Sequence, residues 1–284
     1  MIIDAHVHTF PDNISGRVIS MLGSVPHIMN YSDSTVKDLK RLMDSCGVNY
    51  AVNLPVATYG AQVSGLNDYQ ISMLETYDSL GIIPFGAIHP EFEGFRNELR
   101  RIKGAGMKGI KLHPAYQNAD IDDIRMMRII DAASEEGLAV TVHGGIDIGV
   151  DTHNYASVKQ LLKVVDAVHP EKLIIAHMGG WGTWNEVESD LAGADVYFDT
   201  AFSTLDIEPK PGEEGLLRYH HNMERGDFER LCRKHGTDRV LFGTDSPWSD
   251  IGSCIGFIES CSFTEAEKNA VLGGNAARLL GIVS

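Results

Sequence analysis

Residues 1–10, MIIDAHVHTF, have the apolar character of a buried strand but carry two histidines near its end. Side chains two positions apart on a strand point to the same face, so His6 and His8 project together, about 7 Å apart along the strand. Such a pair can share a metal ion, and it can also be two hydrogen-bonded core histidines. The rest of the chain has to distinguish these interpretations.

Seven more short apolar runs alternate with helical patterns. We predict strands at 2–8, 48–54, 82–88, 107–113, 138–143, 172–177, 194–199 and 239–244. The predicted helices are 34–46, 91–104, 120–136, 154–168 and 223–235, then a helix opened by the Thr264/Glu267 capping box and a short one in NAARLLG (275–281). Eight βα units in 284 residues favour an α/β fold, a single-domain (β/α)8 TIM barrel spanning 1–284, with a doubly wound open sheet as the alternative.

The composition restricts partners and location. Hydrophobic residues make up 43% and charged residues 22% of the chain, as is typical of a globular protein, and the net charge of −15 argues against nucleic acid or an anionic membrane as a partner. Asp4 interrupts the opening apolar run, so we expect no signal peptide. Four cysteines without metal-type spacing predict a reduced, cytoplasmic protein. We expect a small-molecule substrate, and homo-oligomerisation stays open.

Polar side chains stand where the predicted strands end. Lys111 and His113 end the fourth strand, His143 and His177 end the fifth and sixth, and Asp245 follows the eighth. These ends converge at one mouth of a barrel, where barrel active sites are built. Burying several imidazoles together is costly unless they share a partner, and a divalent cation is such a partner. Imidazole and carboxylate ligands predict zinc first, while iron, manganese and nickel also accept them.

A metal at this mouth would supply hydrolytic chemistry. Bound zinc lowers the pKa of a water molecule from about 16 to about 7, which makes hydroxide available at neutral pH. Asp245 could accept the proton as that hydroxide attacks, and then pass it to the leaving group. The residues therefore predict a catalytic metal site with an open coordination position.

Six motifs are met in order along the chain: IDAHVH (3–8), KLHP (111–114), VHGG (142–145), AHMGG (176–180), DRVLFGTDSPW (238–248) and NAARLLG (275–281). Together they resemble the amidohydrolase superfamily. The similarity is greatest to its compact, barrel-only branch of predicted metal-dependent hydrolases, related to aminocarboxymuconate-semialdehyde decarboxylase, and it runs from residue 2 to about residue 281.

The resemblance implies roles for individual residues. His6, His8, His143 and Asp245 match the family's metal ligands, and Asp245 matches its proton shuttle. His177 matches a residue that binds a second metal in binuclear members and orients water or polarises the substrate in mononuclear ones.

Lys111 leaves the number of metals open, at one or two ions per chain. In binuclear relatives such as dihydroorotase, a lysine at this place is carboxylated and bridges two metals. Lys111 could equally stay an ammonium group that binds the substrate. His113 shares its strand face and could contact the substrate or form a hydrogen bond at the rim.

Three functions follow from these residues. The first is metal-dependent hydrolysis of an amide, ester or lactone, and the second is non-oxidative decarboxylation of an unsaturated or aromatic acid. The third, from another class, is a barrel that binds a metal or ligand without catalysis. The ligand set does not separate the first two.

Several further residues have expected structural roles. Asp4 and Asp199 are expected to orient nearby groups, and Asn275 to cap the last helix. Two long connections, 9–33 and 200–222, follow predicted strands. The second, which ends near His220 and His221, is a candidate substrate lid, with most of its residues expected to form a solvated loop.

Overall fold

The computed structural model describes residues 1–150, 153–220 and 222–282, so His221 of the candidate lid lies outside the described residues. Its strands coincide with the predicted ones and are shorter at their ends, and the third predicted strand is divided in two. The strands are β1 Ile3–Val7, β2 Tyr50–Asn53, β3 Ile82–Pro84, β4 Gly86–Ala87, β5 Gly109–Leu112, β6 Ala139–Val142, β7 Leu173–Ile175, β8 Tyr197–Asp199 and β9 Val240–Leu241.

The strands form a closed parallel barrel. Strand order follows chain order, and every strand pairing is parallel. At Phe85, between β3 and β4, the backbone N–H still donates to Asn53 O of β2 (3.0 Å), so these two strands are one interrupted strand. Closure comes from Ala5 N–H of β1, which donates to Phe242 O just after β9 (2.7 Å). The open-sheet alternative is therefore excluded.

Helices lie between the strands. They are α1 Asp12–Ser24, α2 Val36–Cys46, α3 Val63–Ser72, α4 Leu74–Leu80, α5 Phe95–Gly104, α6 Pro114–Gln117, α7 Ile124–Glu135, α8 Val158–Val168, α9 Trp184–Glu186, α10 Arg225–His235, α11 Ile251–Ser260, α12 Glu265–Asn269 and α13 Asn275–Leu280. None of them, within the described ranges, is both long and apolar enough to cross a membrane.

Helix α2 illustrates how local sequence sets these elements. Thr35 accepts a hydrogen bond from Asp38 N–H at its N-terminus, and Gly47 ends it with a left-handed φ of 71°. Leu39 and Met43, one turn apart, are both buried against the barrel. The Thr264/Glu267 capping box predicted at α12 is also present.

The structure adds helices where the sequence indicated connections. Helix α1 lies within the long connection 9–33, and α3, α4 and α11 occupy stretches without a prediction. The connection 200–222 is buried at its start, residues 200–204, and most of its other described residues are exposed or half-buried, as expected of a solvated loop. Its Ile207 and Leu217 pack with Ile28, Trp181 and Phe202 in one apolar cluster, which we call the mouth cluster.

Asn275 corrects another expectation, because it does not cap α13. Its side chain is buried and donates from Nδ2 to the carbonyl oxygens of Thr237 and Val240, both at 2.8 Å, so it ties α13 to the start of β9. Residue Gly274 occupies the cap position.

Replacing Asn275 with alanine is therefore expected to lower the free energy of unfolding by about 2–3 kcal/mol, because two carbonyl groups lose their donor. Denaturant unfolding measures this, with Asn97→Ala on the exposed surface of α5 as the matched control, expected within about 0.5 kcal/mol of the parent. Equal losses in the two variants would contradict this role for Asn275.

Candidate metal centre and active site

A β-bulge in β1 aims the paired histidines. The strand advances three residues, from Asp4 to Val7, while β2 advances two. The extra residue shifts the alternation, so Ala5 packs in the apolar cluster inside the barrel while the next residue, His6, reaches the site. Asp4 consequently points elsewhere, accepting from the N–H (3.0 Å) and hydroxyl (2.6 Å) of Thr244.

Hydrogen-bond acceptors at Nδ1 fix the tautomers of His6 and His8. His8 Nδ1 lies 2.7 Å from Leu54 O, and His6 Nδ1 lies 2.8 Å from Asp199 Oδ2. Both partners can only accept, so each Nδ1 carries the hydrogen and each Nε2 presents a lone pair. These lone pairs face Asp245 Oδ1, at 3.5 Å from His6 and 3.1 Å from His8. Three electron-rich atoms thus converge where a cation would bind.

His143 and His177 form a second convergent pair. His177 Nδ1 is backed by Ala201 O (2.9 Å) and His143 Nε2 by Ile146 O (3.3 Å), while His177 Nε2 and His143 Nδ1 face one another at 3.0 Å. Burial lowers the pKa of both rings below the usual value, so the rings are neutral at pH 7. Two bare nitrogens at this distance repel unless a cation lies beside them.

Lys111 lies close to His6 and is fully buried. Its Nζ is 3.3 Å from His6 Nε2, and 1% of the residue is exposed. Burial lowers the pKa of the ammonium group to about 8, against the opposing effect of Asp199, Asp245 and Asp147. Thr141, its register partner on β6, has a buried hydroxyl without a hydrogen-bond partner among the described residues.

Asp199 holds two of these histidines in place. One oxygen bonds His6, and the other accepts from the backbone N–H groups of His177 (2.9 Å) and Ala201 (3.1 Å). His177 and Met178 both have left-handed φ values, 62° and 54°, which are strained for residues other than glycine. The interactions of buried Asp199 offset this strain, in agreement with its expected orienting role.

Asp245 is positioned by the strand that bears the histidine pair. It follows β9 with a φ of 61°, and its N–H donates to His6 O (2.9 Å). Burial alone would raise the pKa of its carboxyl group, but the imidazole rings of His6 and His8 beside it hold this pKa below its usual range. It is therefore an anion facing the convergent lone pairs.

Asp147 is a site residue that the sequence analysis missed. Its Oδ2 is 3.6 Å from His113 Nε2 and 4.0 Å from His143 Nε2, and the three residues form a second compact group of possible metal-binding atoms. His113 Nδ1 accepts from Tyr116 N–H (3.4 Å), so its Nε2 carries the hydrogen and points towards Asp147. The signal available in the sequence was position: Asp147 lies four residues after His143, in the same βα loop.

Each predicted site residue therefore lies at the barrel mouth, but in two groups. His6, His8 and Asp245 offer atoms within 4.8 Å of one another. His143, expected in the same ligand set, instead faces His177 and belongs to the compact group with His113 and Asp147.

These groups open into a cavity of about 500 Å³. Helix α1 lines one side, and Trp181 and Phe202 of the mouth cluster line another. Trp184 lies outside this lining and donates from Nε1 to His177 O (3.0 Å). The volume suits a small-molecule substrate.

Comparisons with known proteins agree with this architecture. A 5-carboxyvanillate decarboxylase from Sphingomonas paucimobilis superposes with a TM-score of 0.69 at 16% identity, covering 99% of both chains. A dihydroxybenzoic acid decarboxylase from Polaromonas sp. JS666, with bound manganese and the inhibitor 2-nitroresorcinol, gives 0.72 at 15% identity, covering 99% of this chain and 97% of that one. A protein from Pseudomonas putida described as a 2-pyrone-4,6-dicarboxylic acid hydrolase gives 0.67 at 17% identity, covering 100% and 98%.

At these identities the structural matches establish the barrel fold alone. A search of curated proteins finds no match. The sequence model of the family described as Amidohydrolase, however, matches residues 3–282, nearly the whole chain. The protein is therefore an enzyme that belongs to the amidohydrolase family.

Proposed function

We propose that this enzyme hydrolyses an amide, ester or lactone of a small molecule by means of metal-activated water. The observation that carries the proposal is the set of four imidazole lone pairs at the barrel mouth, of which those of His6 and His8 face the Asp245 carboxylate and those of His143 and His177 face each other. Each ring is held in the required tautomer by a carbonyl or carboxylate acceptor behind it, an arrangement typical of metal ligands.

The donor set fits divalent metal. His6, His8 and Asp245 would hold one ion, and His143 and His177 would hold another. Lys111 would supply oxygen ligands to both ions as a carbamate, formed when carbon dioxide adds to its neutral amine and a proton is released, and these oxygen atoms could accept from the buried Thr141 hydroxyl on the neighbouring strand. We propose zinc as the ion, with manganese as the alternative to be tested because a structurally similar decarboxylase binds it.

Asp245 would transfer protons during the reaction, and His113 would orient the substrate. When bound, the metal lowers the pKa of water and polarises the carbonyl group. Asp245 lines the cavity and is ionised, so it can take the proton from the attacking water and return it to the leaving group. His113 Nε2–H points into the cavity beside Asp147 and can orient the substrate.

Decarboxylation is the second candidate. If Lys111 remains an ammonium group, its position 3.3 Å from His6 Nε2 suits the carboxylate of an unsaturated or aromatic acid. Asp245 or water would then protonate the carbon from which carbon dioxide leaves. Two of the similar structures belong to decarboxylases.

The proposed setting is a single catalytic domain, residues 1–284, in the cytoplasm. Its net charge of −15 supports a small molecule as the partner, without nucleic acid or a membrane surface.

Metal content per chain tests the proposed centre. Protein purified without chelator is expected to contain about two divalent ions, and Lys111→Ala at most one, because the bridge is lost. Lys103→Ala, on the exposed surface of α5, is the matched control and should retain both ions. Mass spectrometry provides the counts.

The other outcomes are equally decisive. A single ion that Lys111→Ala leaves in place would contradict the carboxylated bridge and favour decarboxylation. Protein that binds no divalent metal, even after reconstitution, would overturn the proposed centre.

A further inference from the structure

The cavity walls carry information on the substrate beyond its reacting group. We propose that the substrate has one polar head, which lies at the proposed metal centre, and a remainder that is uncharged and apolar. The inference that the polar head binds at the metal centre depends on the proposed function. The inference that the rest of the substrate is uncharged and apolar depends only on the residues that line the cavity.

Apolar side chains from α1 and from the three loops that follow β7, β8 and β9 line these walls. Ile14, Val18 and Leu22 recur every four residues and so lie on one side of α1, where they line the cavity. Trp181, Phe202 and Trp248 line it as well. Flat aromatic and branched aliphatic surfaces gain free energy by covering apolar groups.

The distribution of charge excludes a second anionic group on the substrate. Among the cavity-lining residues that the structure describes, Lys111 is the one lysine or arginine, and it is buried at the floor beside His6. Asp147 and Asp245 also line the cavity. A remote carboxylate would therefore lose its hydration against apolar walls, with no cation to pair with it and with acidic groups nearby.

A matched pair of ligands tests the inference. Octanohydroxamic acid and the monohydroxamic acid of suberic acid have the same metal-binding head and the same chain length, and differ in a terminal methyl or carboxylate group. Isothermal titration calorimetry on the metal-loaded protein is expected to give at least about tenfold tighter binding of the neutral compound. Equal or tighter binding of the carboxylate, or no binding of the neutral compound, would overturn the inference.

Substitutions on α1 sharpen the test. Val18→Arg places a cation on the cavity side, so it should reduce or reverse the tenfold preference. Ser20→Arg adds the same charge on the exposed side of the helix and should leave the preference unchanged. Identical preferences in both variants would show that this wall does not select the tail.

Chelation separates this inference from the metal centre. If the centre is correct, removing metal weakens both ligands, while the neutral tail remains preferred. If chelation leaves both affinities unchanged, the metal-centre proposal is wrong, and the ratio between the two ligands still reports on the walls.

Discussion

Replacing Asp245 with asparagine is expected to lower kcat by about a thousandfold on the best substrate found among amides, esters and lactones. An amide keeps an oxygen for the metal but cannot accept a proton, and general acid–base catalysis typically contributes about a hundredfold to ten-thousandfold. The loss should appear in kcat more than in KM, because proton transfer occurs in the transition state.

Asp195→Asn is the matched control. This residue is fully exposed and lies 3.9 Å from Arg239, away from the cavity lining, so its substitution should leave kcat within a factor of two. Circular dichroism would establish that both variants are folded. A folded Asp245→Asn enzyme with near-parental kcat would rule out the proton shuttle. Release of carbon dioxide without uptake of water would identify decarboxylation as the reaction.

Removal of bound metal is expected to lower Tm by about 8 °C. The facing nitrogens of His143 and His177, 3.0 Å apart, and the lone pairs aimed at Asp245 repel one another without a cation. A ligand present at a thousand times its Kd stabilises a fold by about 4 kcal/mol. In a chain of this size, each kcal/mol corresponds to roughly 2 °C.

Scanning calorimetry with chelator and with added zinc or manganese measures this difference. In the double variant His6→Ala/His8→Ala the dependence on metal should largely disappear. His153→Ala serves as the control, because this histidine is half-exposed and paired with Asp120 at 2.7 Å, and it should retain the full dependence. The same Tm under all conditions would be incompatible with a buried metal centre.

Strand positions were accessible from the sequence because a parallel barrel buries both faces of every strand. Short apolar runs bounded by helical patterns are the direct result, and each predicted strand is present. Helices were harder to predict from the sequence. Helix α1 has polar residues and Gly16 in its length, and its apolar side lines a cavity rather than the main core, so its pattern resembled a loop.

The candidate site could be predicted from the sequence for a related reason. Groups at the carboxyl ends of parallel strands must meet at one mouth, so the positions of His6, His8, Lys111, His143, His177 and Asp245 in the chain were enough to bring them together. Asp147 could not be found this way, because it lies on a loop whose path depends on packing around it.

The sequence by itself determined the succession of strands and helices, the family and the cluster of imidazole, lysine and carboxylate groups, because these depend on local patterns and on strand ends, whereas closure of the sheet into a barrel came from the tertiary structure. Only the tertiary structure decided that His6 and His8 face Asp245 while His143 faces His177. The bulge in β1 turns His6 into the site and Asp4 away from it, and the carbonyl groups of Leu54 and Ala201 select the tautomers of His8 and His177. These effects arise from contacts between residues far apart in the chain, and no spacing within the sequence encodes them.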